Sequence, residues 1–270
     1  MKKRNLKKMI LSAIAVTAIS CSFPLSALAA VQVNPIENIS ADFIKGADVS
    51  IMPELERNGT VFYDNGIAQD GLTILKNHGV NWIRVRLWHN PYYVGAQGVG
   101  AGNTDEAKAL EMAKRAKALG MKVLIDFHYS DFWVDPGQQK KPDAWKNDSG
   151  DKLVQDVYDY TAKVIKDFNA QGTAPDMVQI GNEINNGMLW PDAQLTADNP
   201  DGYKTLAKLL NAGLSAVHDN DPDKQIKTMI HLAGVDPYVY HTFFDKLIKE
   251  NKVNDFDIIG MSFYPFWHGT

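Results

Sequence analysis

The stretch Met177-Val178-Gln179-Ile180-Gly181-Asn182-Glu183 is a short apolar run that stops at a glycine and a polar pair. Runs of this length, nearly continuous in apolar residues, suit a strand of a parallel sheet covered on its outer face. Five further runs share the pattern. Strands are expected over Ile44–Ser50, Asn81–Trp88, Lys122–Tyr129, Met177–Glu183, Lys227–Gly234 and Phe256–Tyr264. Helical periodicity fills the intervals near Gly71–Asn77, Asp105–Leu119, Lys152–Asn169, Tyr203–Asp219 and Tyr238–Lys249. The second helix spaces Ala109, Met112, Ala113 and Ala116 along one face, opens at a capping-box-like Thr104 and closes at Gly120.

Strict alternation of strand and helix admits an open doubly wound sheet or a closed (β/α)₈ barrel. The polar residues choose between them. The six runs end in, or lead directly into, Asp48, Arg86 with Trp88, His128, Asn182 with Glu183, His231, and Tyr264 with Trp267. A barrel gathers such strand ends around one axis, where its active sites form. No glycine-rich phosphate loop follows the first run, which argues against a dinucleotide-binding sheet. The expected fold class is therefore α/β, a (β/α)₈ TIM barrel. Six strands and five helices do not close one, because the first and sixth strands would be left as open edges. The sequence is expected to hold about the first six βα units of a longer barrel.

The start of the chain has another character. Lys2, Lys3, Arg4, Lys7 and Lys8 precede an apolar run from Met9 to Ile19, and Ala27-Leu28-Ala29 is a small-x-small cleavage site. The run is shorter than the roughly 20 residues of a spanning helix. Residues 1–29 are thus expected to be a signal peptide and residues 30–270 the catalytic barrel domain, incomplete at its C-terminal end. A lipoprotein reading around the single cysteine, Cys21, is weaker, because Ala18 stands where a larger aliphatic residue is usual. Without that region the chain has no cysteine and no disulfide framework. The whole chain carries net charge −4; losing five basic residues and no acidic ones leaves −9. An acidic chain without a basic stripe is a poor nucleic-acid ligand. Hydrophobic content of 45% indicates a packed core. The expectation is a secreted extracellular monomer, free of the membrane after cleavage.

Glu183 carries the chemistry. Glycoside hydrolysis needs one carboxylic acid to protonate the departing oxygen and a second carboxylate opposite it. An acid kept protonated near neutral pH needs a raised pKa, and a strand end deep in a cleft provides burial and charged neighbours. Asn182 could bind a sugar hydroxyl beside it. An Asn-Glu pair by itself is more often part of an ordinary loop or cap; the strand end and surrounding aromatics favour a catalytic role here.

Phe43–Ser50, Ile83–Trp88, Ile125–Trp133, Asp135-Pro136-Gly137, Gln179–Ile184, Gly187–Pro191 and Ser262–Trp267 together resemble the signature blocks of glycoside hydrolase family 53. The blocks run in order over nearly all of residues 30–270, and Ile184 after Glu183 differs from the proline of many cellulase-type barrels. The resemblance implies an endo-β-1,4-galactanase that acts with retention on galactan of type I arabinogalactan and pectin. It implies Glu183 as acid/base at the end of the fourth strand and a nucleophile glutamate at the end of the seventh. This chain is then expected to lack the nucleophile, since no other carboxylate is well placed: Asp48 lies across the rim, Asp126 within the third strand and Asp131 in the loop after it.

Arg86 could hold the nucleophile carboxylate in a guanidinium fork, or be an ion pair of the barrel wall. His128 could bind a sugar hydroxyl, tune a carboxylate or be a satisfied core histidine, and His231 is a weaker candidate still. Asp48, Trp88, Trp133, Trp190, Tyr264 and Trp267 are the expected sugar contacts, the indoles offering flat faces to pyranose C–H groups. Asp131 and Asp135 match no EF-hand spacing, so no metal or other cofactor is expected in this chain. The resemblance places calcium, if any, in loops beyond residue 270. The expected partner is a β-1,4-galactan polysaccharide. Two alternatives remain open: a related barrel glycosidase acting on another polysaccharide, and a non-catalytic carbohydrate-binding barrel.

Overall fold

The computed structural model describes residues 34, 36–92 and 98–269. The expected signal peptide over residues 1–29, with Cys21, lies outside the described residues. The chain divides after Phe43 into two units. In the first, the described residues form turns, with the Phe43 N–H donating to the Ser40 carbonyl at 3.0 Å.

Residues 44–270 form the second unit, built on one six-stranded sheet. Its strands are β1 (Gly46–Asp48), β2 (Trp82–Leu87), β3 (Lys122–Phe127), β4 (Met177–Ile180), β5 (Lys227–Ala233) and β6 (Ile258–Ser262). They pair in that order, and every pairing is parallel. The main helices between them are α1 (Met52–Arg57), α2 (Gly71–Asn77), α3 (Glu106–Ala118), α4 (Gly150–Gln171), α5 (Gly202–His218) and α6 (Pro237–Phe244); a single turn, α7 (Pro265–His268), follows β6. This is a curled, partial (β/α)₈ barrel, as the strand–helix alternation implied.

Alternation along each strand separates two environments. Ile83, Val85, Leu87, Val123, Ile125, Phe127, Val178, Ile180, Ile230 and Leu232 are fully buried under the helices. Ala109, Met112, Ala113 and Ala116 of α3 are buried too, the face that their spacing predicted. The opposite side of the sheet carries Asp48, Arg84, Arg86, Asp126, Gln179, His231 and Ser262. Register places Asp48 beside Arg84, Arg86 beside Asp126, and Asp126 beside Gln179. Below this polar layer lies a cavity of about 230 Å³ lined in part by Trp82, Leu124, Met177 and Met229. An inner face stacked in layers is what a barrel interior requires.

Some local expectations change. The Asp105 carboxylate caps α3 by accepting from Lys108 N at 3.0 Å. Thr104, expected in that role, is buried and donates its hydroxyl to Ser50 O at 2.9 Å. β4 ends at Ile180, three residues earlier than expected, because the chain turns at Gly181 with φ +84°. The last long helix continues past Phe244 as a π-helical stretch, Asp245–Glu250. Sequence periodicity also missed α1 and two short antiparallel hairpins, Phe62–Asp64 with Ile67–Gln69 and Gly187–Met188 with Ala193–Gln194.

Candidate active site

Gly181 turns the chain where β4 ends, and Glu183 follows with φ +50°, a left-handed conformation uncommon for glutamate. A Cβ on residue 181 would sit 2.8 Å from Ile184 Cγ2. The bend is therefore both a conformational and a packing requirement for glycine. It directs the half-buried Glu183 to the C-terminal end of the sheet.

Neighbouring elements hold the loop. Ile184 N donates to His231 O at 3.1 Å. The Asn185 side chain pairs twice with Ala233 of β5: its Oδ1 accepts from Ala233 N and its Nδ2 donates to Ala233 O, both at 2.8 Å. Gln139, in the loop after β3, donates to the carbonyls of Asn182 (2.8 Å) and Glu183 (3.3 Å). The Glu183 carboxylate accepts at Oε1 from the Ser262 hydroxyl at 2.6 Å. Ser262 Oγ lies 3.0 Å from His231 Nε2, and the Glu183 N–H donates to His231 Nδ1 at 3.2 Å. Burial pushes the His231 ring down to about 4, against an opposing pull from Asp126, so the ring is neutral at pH 7.

Beneath Glu183 an ionic row runs from the exposed Asp48 through the half-buried Arg84 to the wholly buried Asp126. Arg84 donates to Asp48 Oδ2 (2.7 Å), Asp126 Oδ2 (2.6 Å) and Asn182 Oδ1 (3.0 Å). Burial disfavours both ions, but Arg84 and then His128 hold the Asp126 carboxyl below the usual range, while Asp126 and Asp48 hold Arg84 above its own. Asp126 Oδ1 is buried without a hydrogen-bond partner.

The expected site residues divide between this row and the rim. Asn182 is buried; its Oδ1 faces Arg84 and its Nδ2 donates to Val134 O at 2.8 Å. Asp48 accepts from Arg84 and from the Ser50 N–H, and Arg86 Nε lies 3.3 Å from its Oδ2 as an ion pair without hydrogen-bond alignment. Arg86 lies with its guanidinium 4.8 Å from the Trp133 ring centre. His128 is buried, accepts at Nδ1 from the Trp88 indole (3.1 Å) and faces Asp126 through Nε2 (3.0 Å). Trp88 is only 1% exposed, so its ring belongs to the floor and offers no face to a sugar. Trp133 and Trp190 are half-buried at the rim. They line hollows of about 380 and 400 Å³, and Gln138 and Lys140 line both. Tyr264 and Trp267 stand 52% and 76% exposed after β6. No group of three or more His, Cys, Asp or Glu able to hold a metal occurs among the described residues.

Arg84 and Ser262 enter the site beyond the expected set, and His231, the weakest candidate there, contacts both Glu183 N and Ser262 Oγ. Arg84 shares a strand face with Arg86, two positions away, so alternation was a usable signal. Ser262 and Gln139 had none, since a serine at a strand end or a glutamine in a loop is unremarkable until its partners are placed.

The arrangement provides a carboxyl group at a strand end, one oxygen held and the other open, above a charged floor and beside indole faces. Comparison with known proteins identifies the family. The sequence profile of glycosyl hydrolase family 53 matches residues 44–270. An endo-β-1,4-galactanase of Bacillus subtilis (strain 168) is 42% identical over 239 residues, covering 88% of this chain and 53% of that protein. The solved catalytic domain from Ignisphaera aggregans superposes with TM-score 0.82 at 48% identity, covering 88% of this chain and 64% of that one. A structure from work on two fungal β-1,4-galactanases gives TM-score 0.74 at 36% identity, covering 83% and 65%. The chain spans about half to three-fifths of the length of the curated relatives it matches.

Proposed function

The chain belongs to glycosyl hydrolase family 53, and from that premise we propose that its protein is a secreted, endo-acting retaining glycoside hydrolase of β-1,4-galactan. Glu183 is its acid/base. The observation that carries this reading is the left-handed Glu183 beyond β4, with Oε1 taken by Ser262 and Oε2 without a protein partner among the described residues.

In the first half-reaction the C1–O bond to the departing sugar breaks and its electron pair goes to oxygen, which takes the Glu183 proton. A second carboxylate, outside the described residues, bonds to C1 from the other face. Glu183 then removes a proton from water as that water displaces the carboxylate. The ionic row from Asp48 to Asp126 holds Asn182 beneath this chemistry, and Trp133 and Trp190 provide stacking faces for a chain running through an open cleft. We further propose that the protein acts as a monomer; no helix of the described residues is long and apolar enough to cross a membrane.

The test is Glu183→Ala in the full-length protein. Galactan hydrolysis is expected to fall by about 10²–10⁴-fold, the usual worth of a general acid, and azide is expected to restore turnover of an aryl glycoside that needs no acid. A panel of galactan, mannan, xylan and glucan checks the substrate. Release from mannan but not galactan would replace the galactanase reading, and binding without release would favour a non-catalytic barrel.

A further inference from the structure

We propose that His231 and Ser262 form a one-way hydrogen-bond relay that fixes which oxygen of Glu183 carries the acid proton, making both of them positioning residues. The proposal rests on Glu183 being the acid/base.

The direction of each hydrogen bond follows from the first. A backbone N–H can only donate, so His231 Nδ1, 3.2 Å from Glu183 N, is the bare nitrogen of the ring. The Gln179 side-chain amide approaches the same nitrogen at 3.2 Å and donates to it as well. The neutral ring therefore carries its hydrogen on Nε2, which lies 3.0 Å from Ser262 Oγ. That hydroxyl accepts from the ring and gives its own hydrogen to Glu183 Oε1 at 2.6 Å. The circuit leaves Glu183 at the main chain and returns to it at the side chain, through one residue of β5 and one of β6.

Such a circuit has no reverse setting. For Oε1 to hold a proton and donate it to Ser262, the serine would have to donate to Nε2, and Nδ1 would then need the hydrogen that would meet the Glu183 N–H. Oε1 is therefore a permanent acceptor and the acid proton resides on Oε2. During bond cleavage the departing oxygen takes that proton from Oε2, while Ser262 keeps its hydrogen and continues to hold Oε1. The same imidazole fixes the loop backbone and, through Ser262, the rotamer of the carboxyl it carries. Preorganisation of this kind contributes most where a proton must be delivered along one line.

The test uses the full-length protein with Ser262→Ala and Ser262→Thr, and two substrates. One is galactan, whose leaving alcohol needs a proton; the other is a dinitrophenyl β-1,4-galacto-oligosaccharide, whose leaving group does not. Ser262→Ala is expected to lower kcat on galactan about 10–100-fold with KM little changed, a fraction of the full general-acid contribution. The aryl substrate should change less than about threefold, and Ser262→Thr should restore the galactan rate to within about threefold, since the hydroxyl returns. In a Glu183→Ala background, Ser262→Ala should have no further effect. Ser262→Cys, close in shape and a weaker donor, should fall between serine and alanine and keeps the test open if the alanine variant does not fold. Equal slowing of both substrates, no effect on galactan, or no rescue by threonine would overturn the relay. If Glu183→Ala itself shows no discrimination between leaving groups, the acid/base assignment fails instead, and the two failures are distinct.

Discussion

Replacing Arg84 with Met would leave Asp126, wholly buried, with His128 as its remaining side-chain hydrogen-bond partner among the described residues. Breaking a buried pair from one side costs about 3–5 kcal/mol, because the remaining charge stays desolvated. Arg84→Met is therefore expected to lower the denaturation midpoint sharply, and urea titration of the folded protein checks it. His231 gives a pH signature. Its folded pKa of about 4 lies below the unfolded value of about 6.5, so the unfolded chain binds the extra proton between those limits. The stability it contributes is complete above about pH 6.5 and is lost as pH falls toward about 4, amounting to about 3 kcal/mol. A His231→Gln variant should show a flatter stability profile across that window; an unchanged slope would remove the histidine from the account. At this scale the sequence was half legible. Glu183 and Asn182 stood out because a strand ends on them, and Arg86 because it is the last arginine of its run. Arg84, two residues away on the same face, lies mid-strand and carries no strand-end signal, yet it makes the closer contacts. The roles of Ser262 and Gln139 depend on partners 79 and 43–44 residues away, which no local pattern encodes.

Elements built on strong periodicity were legible, and those built on short contacts were not. The six strands and the helices α2 to α6 follow from apolar runs and 3.6-residue spacing. The six-residue α1 and the two-residue hairpin strands are too short to carry a period. The Gly187 hairpin nevertheless supports the site, since it follows the acid loop directly. A side chain at residue 187 would overlap the Ala193 carbonyl, and its φ is +84°. Gly187→Ala is expected to cost more than about 2 kcal/mol and to lower activity together with stability. Asp105→Ala removes the cap hydrogen bond together with the one from the Tyr92 hydroxyl and should cost about 1–2 kcal/mol, with activity at low temperature retained. Melting curves of the two variants, measured side by side, check the ranking.

Across the whole molecule, alternation of strand and helix implied the barrel before any side chain was placed, and the parallel order from β1 to β6 agrees with it. Within the described residues β1 and β6 are the edges of the sheet. Ile259 and Met261 of β6 are about half exposed, and Phe263, Tyr264, Phe266 and Trp267 after it range from 50% to 85%. Unpaired edges beside apolar surface invite association. The isolated 270-residue chain is expected to elute early and concentration-dependently from a sizing column and to bind a hydrophobic dye. A monodisperse monomer with a sharp cooperative melt would show that these edges are tolerated. The pairing of Asn185 with both main-chain groups of Ala233 has a consequence for recombination among related barrels. β4 has already ended when the amide of Asn185 takes the place a strand backbone would fill, so the acid loop is written in the register of β5. A graft cut at the loop's own ends would carry the glutamate but abandon its alignment. The smallest transferable unit is strand, loop and the following strand together.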